Sequence, residues 1–230
     1  MKVIILCGGL ASRLGNLTKK IPKSLISINN KPFIIYQIEK LKSYGFKNFI
    51  LCVGHKNYHI KNLLGNGIKY GVKIEYSYDG KKLLGTAGAI KKALKLVDRF
   101  FIVINGDSYL LLNPNHLVKK FKKIRKPIVV ITKNNKKNLI ANILIKKNKI
   151  INYSKLGIKD MFYIDYGMQI FSKNLAWSNL KKNKPYDMSY VYNLLINKKL
   201  LYFYNTRKPF FEIGSLKGLA EFKKKINDYK

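Results

Sequence analysis

Four stretches of this chain carry residues whose types and order suit phosphate chemistry. Leu6-Cys7-Gly8-Gly9-Leu10-Ala11-Ser12-Arg13-Leu14 ends a short apolar run. Glycines in such a place let backbone N–H groups approach phosphate oxygens, and Arg13 adds a planar fork of donors. No Gly-Lys-Ser/Thr closes the loop, so it is not a Walker A loop. Leu84-Gly85-Thr86-Ala87-Gly88-Ala89-Ile90 stands before a helical run. Thr86 can cap that helix, and the small residues around it leave room for a flat ring against the backbone. Asn105-Gly106-Asp107 follows a very apolar run. A carboxylate there points into the crevice where open parallel sheets bind ligands, or else caps the next segment. Glu212 lies in Phe210-Phe211-Glu212-Ile213-Gly214-Ser215. A lone acid in an apolar strand requires a partner, either a divalent cation or one of the many lysines.

The elements that must hold these residues follow from periodicity. Residues 3–7, 49–53, 72–76, 100–104 and 128–131 read as strands, with helices over 33–44, 58–64, 87–96 and 114–124 between them. Pro32 stands near the start of the first helix and Gly45 just past its end. This rhythm predicts an α/β fold, a Rossmann-like mixed, mostly parallel sheet covered by helices on both faces. After Thr132 the texture changes. Residues 139–145, 150–153, 163–171, 200–204 and 210–213 read as strands, and 188–196 and 216–226 as helices, the former capped by Asp187. The expected organisation is one domain over 1–230, with a nucleotide-binding core over 1–132. Residues 133–230 would form a sugar-binding lobe against the sheet edge, with a closing helix.

The glycine loop, with Pro22-Lys23 ten residues further on, resembles the signature of sugar-1-phosphate nucleotidyltransferases, Gly-Gly-x-Gly-Thr-Arg-Leu followed by Pro-Lys. Ala11 and Ser12 depart from that pattern, and an Ala forced to φ > 0 would cost about 1 kcal/mol. The likeness implies that Arg13 and Lys23 grip a triphosphate and stabilise charge on the α-phosphoryl group. It implies that Leu6, Gly8, Gly9, Ser12, Gly85, Thr86, Asn105 and Gly106 bind the nucleotide, the Leu-Gly-Thr-x-Gly-Ala element lining the base. It makes Asp107 and Glu212 the ligands of Mg²⁺, which takes one or two carboxylates plus phosphate oxygens and waters. Tyr163-Ile164-Asp165-Tyr166-Gly167-Met168-Gln169 resembles the family's Asn-Ala-Gly-Ile-Tyr strand, with Asp165 in place of Asn. Ser154-Lys155 stands where the family has Glu-Lys. Lys155, Asp165 and Gly167 are thus implied on the sugar side, although Lys155 and Asp165 also read as a surface lysine and a strand-edge acid.

Among relatives, the short length and the Leu-Gly-Thr-Ala-Gly-Ala element look most like bacterial heptose 1-phosphate guanylyltransferases, which make an NDP-sugar for cell-surface polysaccharide. N-acetylmuramate 1-phosphate uridylyltransferases and small cytidylyltransferases are also similar. A non-catalytic nucleotide-sensing module on the same fold is the rival within the resemblance.

Composition narrows the remaining classes. The chain has 230 residues and a formal charge of +35, yet only Arg13, Arg99, Arg125 and Arg207 of its 46 basic residues are arginine. Nucleic-acid readers lean on arginine, and scattered lysine among Ile and Asn reads as compositional bias, so no nucleic-acid partner is expected. Cys7 and Cys52 each end an apolar run and suit a reduced cytoplasmic protein. The apolar start is too short for a signal peptide, and no stretch approaches the roughly 18 apolar residues of a membrane span. His55 and His59 have zinc-like spacing but no third ligand nearby, so no zinc site is expected. The partners expected are NTP and a sugar 1-phosphate, with no membrane. A homodimer is left open.

Overall fold

The computed structural model describes residues 1–9, 12–54, 56–135, 139–175 and 177–229, the side chains of Ser12 and Arg13 excepted. In chain order the strands are β1 (Lys2–Leu6), β2 (Ser27–Ile28), β3 (Lys31–Pro32), β4 (Asn48–Val53), β5 (Lys73–Tyr78), β6 (Phe100–Asn105), β7 (Ser108–Leu110), β8 (Ile128–Lys133), β9 (Ile143–Lys146), β10 (Lys149–Tyr153), β11 (Tyr163–Ser172), β12 (Tyr202–Asn205) and β13 (Phe210–Glu212). The helices are α1 (Phe33–Ser43), α2 (Asn57–Leu64), α3 (Gly85–Ala93), α4 (Pro114–Ile124), α5 (Met188–Asn197) and α6 (Leu216–Lys225).

A mixed sheet of nine strands runs in the order β10-β9-β11-β6-β1-β4-β5, with β8 beside β11 and β12 beside β8. The strands β6, β1, β4 and β5 are mutually parallel, and β12 is parallel to β8. β11 is antiparallel to both β6 and β8. The second half therefore continues the sheet through β11, β8 and β9. Ten residues of β11 are long enough to serve β6 along one side and β8 and β9 along the other.

Alternation along the central strands divides the core in two. Val3 and Ile5 of β1 join Ile34, Ile38 and Leu41 of α1 and Leu117 and Phe121 of α4 on one face. Ile4 joins Ala87, Ile90 and Ala93 of α3 and Val191 and Leu195 of α5 on the other. Helices thus cover both faces. A third cluster packs α6, through Phe222, against Phe33, Tyr36, Tyr109 and Phe211. It carries the small antiparallel pair β7–β13, whose three-residue strand β7 is too short to read from the sequence. The Asp187 signal holds where it was expected, and Asn113-Pro114 starts the helix over 114–124 in the same local way. Asn113 caps α4 through the Asn115 N–H, with Pro114 at its first position, and Asp187 caps α5 through the Ser189 N–H. Residues 139–142 are not strand, and pairing of β9 starts at Ile143. No helix among the described residues is long and apolar enough to cross a membrane.

Candidate active site

A crevice of about 280 Å³ opens across the carboxyl ends of the parallel strands. Its lining brings together Leu6, Gly8, Gly9, Lys23, Gly85, Thr86, Asn105, Gly106 and Asp107, all singled out from sequence. Residues 6–9 leave β1, and 105–107 leave β6, its parallel neighbour, so adjacent strand ends deliver both motifs to one place. Gly106 is pressed against the β1 end. Its N–H donates to the Leu6 carbonyl at 3.1 Å, and a Cβ there would lie 2.3 Å from that oxygen. Only glycine fits, which locks the Asp107 turn onto the glycine loop.

Pro22, extended at φ −60° and ψ 146°, leads into a short 3₁₀ turn over Lys23–Leu25. From that turn Lys23 Nζ reaches Asp107 Oδ2 at 2.6 Å, and the Ser108 hydroxyl donates to Asp107 Oδ1 at 3.1 Å. Both members of the ion pair are part-buried, and both line the crevice. A residue the sequence did not reveal stands behind them. Gln37, buried on α1, donates from Nε2 to the Asn105 carbonyl at 2.9 Å and to the Ser108 carbonyl at 2.8 Å. It clamps both flanks of the turn that carries Asp107. From sequence it is one polar residue in an apolar helix, and nothing local says which carbonyls it meets.

Asp79, at the end of β5, also lines the crevice and also escaped the sequence reading. Cys7 lies on the same wall. Burial pushes its thiol up to about 12, with the Asp107 charge adding and Ser24 and Lys23 opposing, so it is an inert thiol at neutral pH.

Glu212 lies opposite Ser108 across β7–β13, and the Ile213 N–H donates to the Asp107 carbonyl at 2.9 Å. The two acids far apart in sequence thus sit on adjoining backbone. Glu212 is not among the residues lining the crevice. Its Oε2 accepts the Gly214 N–H at 2.6 Å and its Oε1 the Ser215 hydroxyl at 2.5 Å. It is held at the start of α6, where negative charge is favoured.

Of the residues that the sequence assigns to the sugar, Gly167 (φ 89°) lies where β11 shifts register against β8, close to the side chains of Asn105 and Ser108. Asp165 holds that irregularity. It accepts the Gly167 N–H at 2.8 Å, Gln169 Nε2 at 3.0 Å and the Tyr192 hydroxyl at 2.7 Å. Lys155 pairs with Asp187, which also accepts the Thr86 hydroxyl at 3.3 Å. Gly85 (φ 68°) opens α3 against the Tyr186 carbonyl, where a Cβ would come within 2.5 Å. The segment that opens α3 and Lys155 are therefore joined through residues 186–187.

Ala11, His55 and the side chains of Ser12 and Arg13 lie outside the described residues. Among the described residues, no three His, Cys, Asp or Glu converge to hold a metal ion, and the His59 ring lies against that of Tyr58, tilted by 32°.

A profile of the nucleotidyl transferase family matches residues 2–141. The chain is 46% identical over 109 residues to D-glycero-alpha-D-manno-heptose 1-phosphate guanylyltransferase of Campylobacter jejuni, a match spanning 47% of this chain and 48% of that protein. It is 27% identical over 232 residues, the full length of both, to the enzyme of the same name from Aneurinibacillus thermoaerophilus. HddC from Yersinia pseudotuberculosis, solved in complex with GMP-PN, superposes with a TM-score of 0.79 at 26% identity, over 98% of this chain and 99% of that one.

Proposed function

The chain belongs to the nucleotidyl transferase family, and on that premise we propose that it joins a nucleoside triphosphate to a sugar 1-phosphate, releasing pyrophosphate. The names of its relatives favour GTP and a D-glycero-α-D-manno-heptose 1-phosphate as the substrate pair. The observation that carries the reading is the Lys23–Asp107 pair lining one crevice with Gly8, Gly9, Gly85 and Thr86.

The sugar phosphate oxygen is already anionic, so the reaction requires no general base. That oxygen bonds to the α-phosphorus as the bond to the β-phosphate's bridging oxygen breaks, and pyrophosphate departs. The work left to the protein is positioning and charge stabilisation. Lys23, held in one place by Asp107, presents a cation to the oxygens that gain charge, in a part-buried site where such a charge counts for more than in water. The Gly8 and Gly9 turn offers backbone donors to the same triphosphate, and we assign Ser12 and Arg13 to it by their place in the loop. Gln37 keeps the turn of residues 105–108 fixed. Lys155 is assigned to the sugar phosphate, which it would meet by leaving Asp187. Gly167 lets β11 run close beside that turn, and Asp165 acts through the backbone it fixes.

Mg²⁺ suits the donors present, since Asp107 offers hard oxygens on the crevice wall and Glu212 stands on the adjoining strand. We assign these two residues to hold it. When bound, the ion supplies neutralisation of the phosphoryl oxygens. Two free, buried cysteines suit a reducing cytoplasm.

The test is pyrophosphate release from a panel of GTP, UTP, CTP and ATP with the heptose 1-phosphate and Mg²⁺. Turnover with GTP is expected. Turnover with CTP or UTP but not GTP rejects the guanylyl assignment.

A further inference from the structure

We propose that the exposed apolar segment over residues 156–162 docks this protein on an anionic lipid surface. The inference is independent of the nucleotidyl-transfer reading above.

Single exposed apolar side chains, such as Ile68 and Leu216, are ordinary on a protein surface. The stretch between β10 and β11 differs, because several of them gather there. Leu156 is 89% exposed, Ile158 48% and Phe162 60%, and Ile140 beside them is 60% exposed. Ile140 lies against the turn between Leu156 and Ile158, for a Cβ on Gly157 would come within 2.7 Å of its Cγ2. The backbone of the segment is held in place. The Gly157 N–H donates to the Ser154 carbonyl at 3.2 Å, the Met161 N–H to the Ile158 carbonyl at 3.3 Å and the Asn134 N–H to the Phe162 carbonyl at 2.8 Å. Met161 is buried, while Leu156, Ile158 and Phe162 stand out in water. Such a group of side chains costs solubility and calls for a partner.

Charge says what kind of partner. Residues 139–162 hold five lysines, no arginine and one acid, Asp160. All five lysines are exposed. Lysines are spread over the whole chain, so they set the sign of the partner, and the apolar side chains set the place. A second copy would bring another formal charge of +35 against the first. The cores of protein interfaces are depleted in lysine and anchored by Trp, Tyr and Arg. A nucleic acid is gripped by arginine forks and aromatic platforms, and Leu156 and Ile158 offer neither. An anionic lipid surface suits both features at once. Aliphatic and phenyl tips enter between the headgroups, and lysine stems follow with their ammonium groups at the level of the phosphates. Docking of this kind requires no spanning helix. The segment also adjoins the crevice. Lys155, next to Leu156, pairs with Asp187, which accepts the hydroxyl of the crevice-lining Thr86 at 3.3 Å.

Co-sedimentation of the full chain with vesicles tests this, using phosphatidylcholine alone or mixed with phosphatidylglycerol, at physiological salt and without nucleotide. The unaltered protein should sediment with the mixed vesicles and stay in solution with the neutral ones. Replacing three exposed side chains together, Leu156→Ser, Ile158→Ser and Phe162→Ser, should weaken binding to mixed vesicles by about tenfold or more. Ile68→Ser with Leu216→Ser removes exposed apolar side chains elsewhere and should leave binding unchanged. Phe162→Trp reads the contact with the segment intact, and its emission should shift to the blue when mixed vesicles are added. Failure of the unaltered protein to bind mixed vesicles would overturn the proposal. Undiminished binding by the triple variant would too, since it would leave only the attraction of a basic chain to negative lipid. An emission from the Phe162→Trp protein that does not move on binding would sink the idea even if the triple variant fails to fold. A dimer in sedimentation equilibrium that the triple variant splits would assign the segment to a contact between copies instead.

Discussion

Asp107 and Asp165 occupy neighbouring parts of one sheet and use their carboxylates in opposite ways. Asp107 stands just past β6, lines the crevice and holds Lys23 at 2.6 Å. Asp165 lies on β11, the antiparallel partner of β6, and accepts from the Gly167 N–H, Gln169 and the Tyr192 hydroxyl. Asp107 lines the crevice, so a substrate or cation bound there would meet it beside Lys23. Asp165 can release its donors only by loosening the irregular turn of β11. The same residue type thus faces an open crevice at one place and braces the backbone at the other, and the partners decide which.

Breaking the Asp107 side should remove rate and spare stability. Lys23→Ala should lower kcat by about 10³-fold in a pyrophosphate-release assay, the scale seen when one preorganised charge donor is lost. Its urea midpoint should fall less than that of Asp165→Asn, because the part-buried carboxylate left behind lines an open crevice within reach of water. A tenfold loss accompanied by a large drop in midpoint would erase the contrast.

Gln37→Leu probes the same turn from behind. It leaves the Asn105 and Ser108 carbonyls without their donor, so stability should fall by about 1–3 kcal/mol. Because the clamp acts on Asp107 and touches no substrate, kcat should drop about tenfold while KM for GTP stays put. A rise in KM with kcat unchanged would assign Gln37 to substrate binding instead.

On the Asp165 side the expected loss is stability. Asp165→Asn exposes buried donors to a group that itself donates, at a cost of about 1–3 kcal/mol by denaturant unfolding. Turnover by the folded fraction should stay within a few-fold of the original. A thousandfold loss of kcat in a well-folded Asp165→Asn protein would make Asp165 a catalytic residue and end the comparison.

The smallest effect is in pH. Burial lifts the Asp165 pKa above the ordinary 3.8, against the pull of the Gly167 N–H, Tyr192 and Gln169. Asp187 is also pushed up by burial, but Lys155 and the Ser189 N–H outweigh this and leave it below 3.8. With a raised pKa the folded chain holds its proton more tightly than the unfolded one. The Asp165 contribution is therefore full below 3.8 and lost as pH rises through the folded value. Asp187 contributes stability above 3.8 that is lost as pH falls through its depressed value. Urea unfolding over a pH series should show the stability difference from Asp165→Asn growing as pH falls toward 3.8. The difference from Asp187→Asn should shrink as pH falls below 3.8. Parallel trends for the two variants would contradict both assignments.

Much of the architecture was legible because its signals are local. Asn113-Pro114 and Asp187 announce helix starts through their own side chains, and a glycine pair after an apolar strand announces a ligand loop. Asp107 was readable for the same reason, since its place depends only on the strand before it. Gln37 and Asp79 were not. Gln37 meets carbonyls 68 and 71 residues away, and Asp79 enters the crevice only because β5 lies two strands from β1. The position of β11 beside β6 is likewise a matter of strand order, which periodicity does not encode. Glu212 was recognised as needing a partner, but the Gly214 N–H and Ser215 hydroxyl that engage it depend on the turn into α6.

The central claim is that the Lys23–Asp107 end of the crevice transfers a nucleotidyl group, as opposed to merely sensing nucleotides. The reverse reaction tests it most directly: GDP-heptose, pyrophosphate and Mg²⁺ are incubated with the chain, and GTP is measured. The account predicts that GTP forms in step with heptose 1-phosphate and that Asp107→Asn abolishes it. Tight GDP-heptose binding with no GTP formed, or GTP formed equally well by Asp107→Asn, would contradict it.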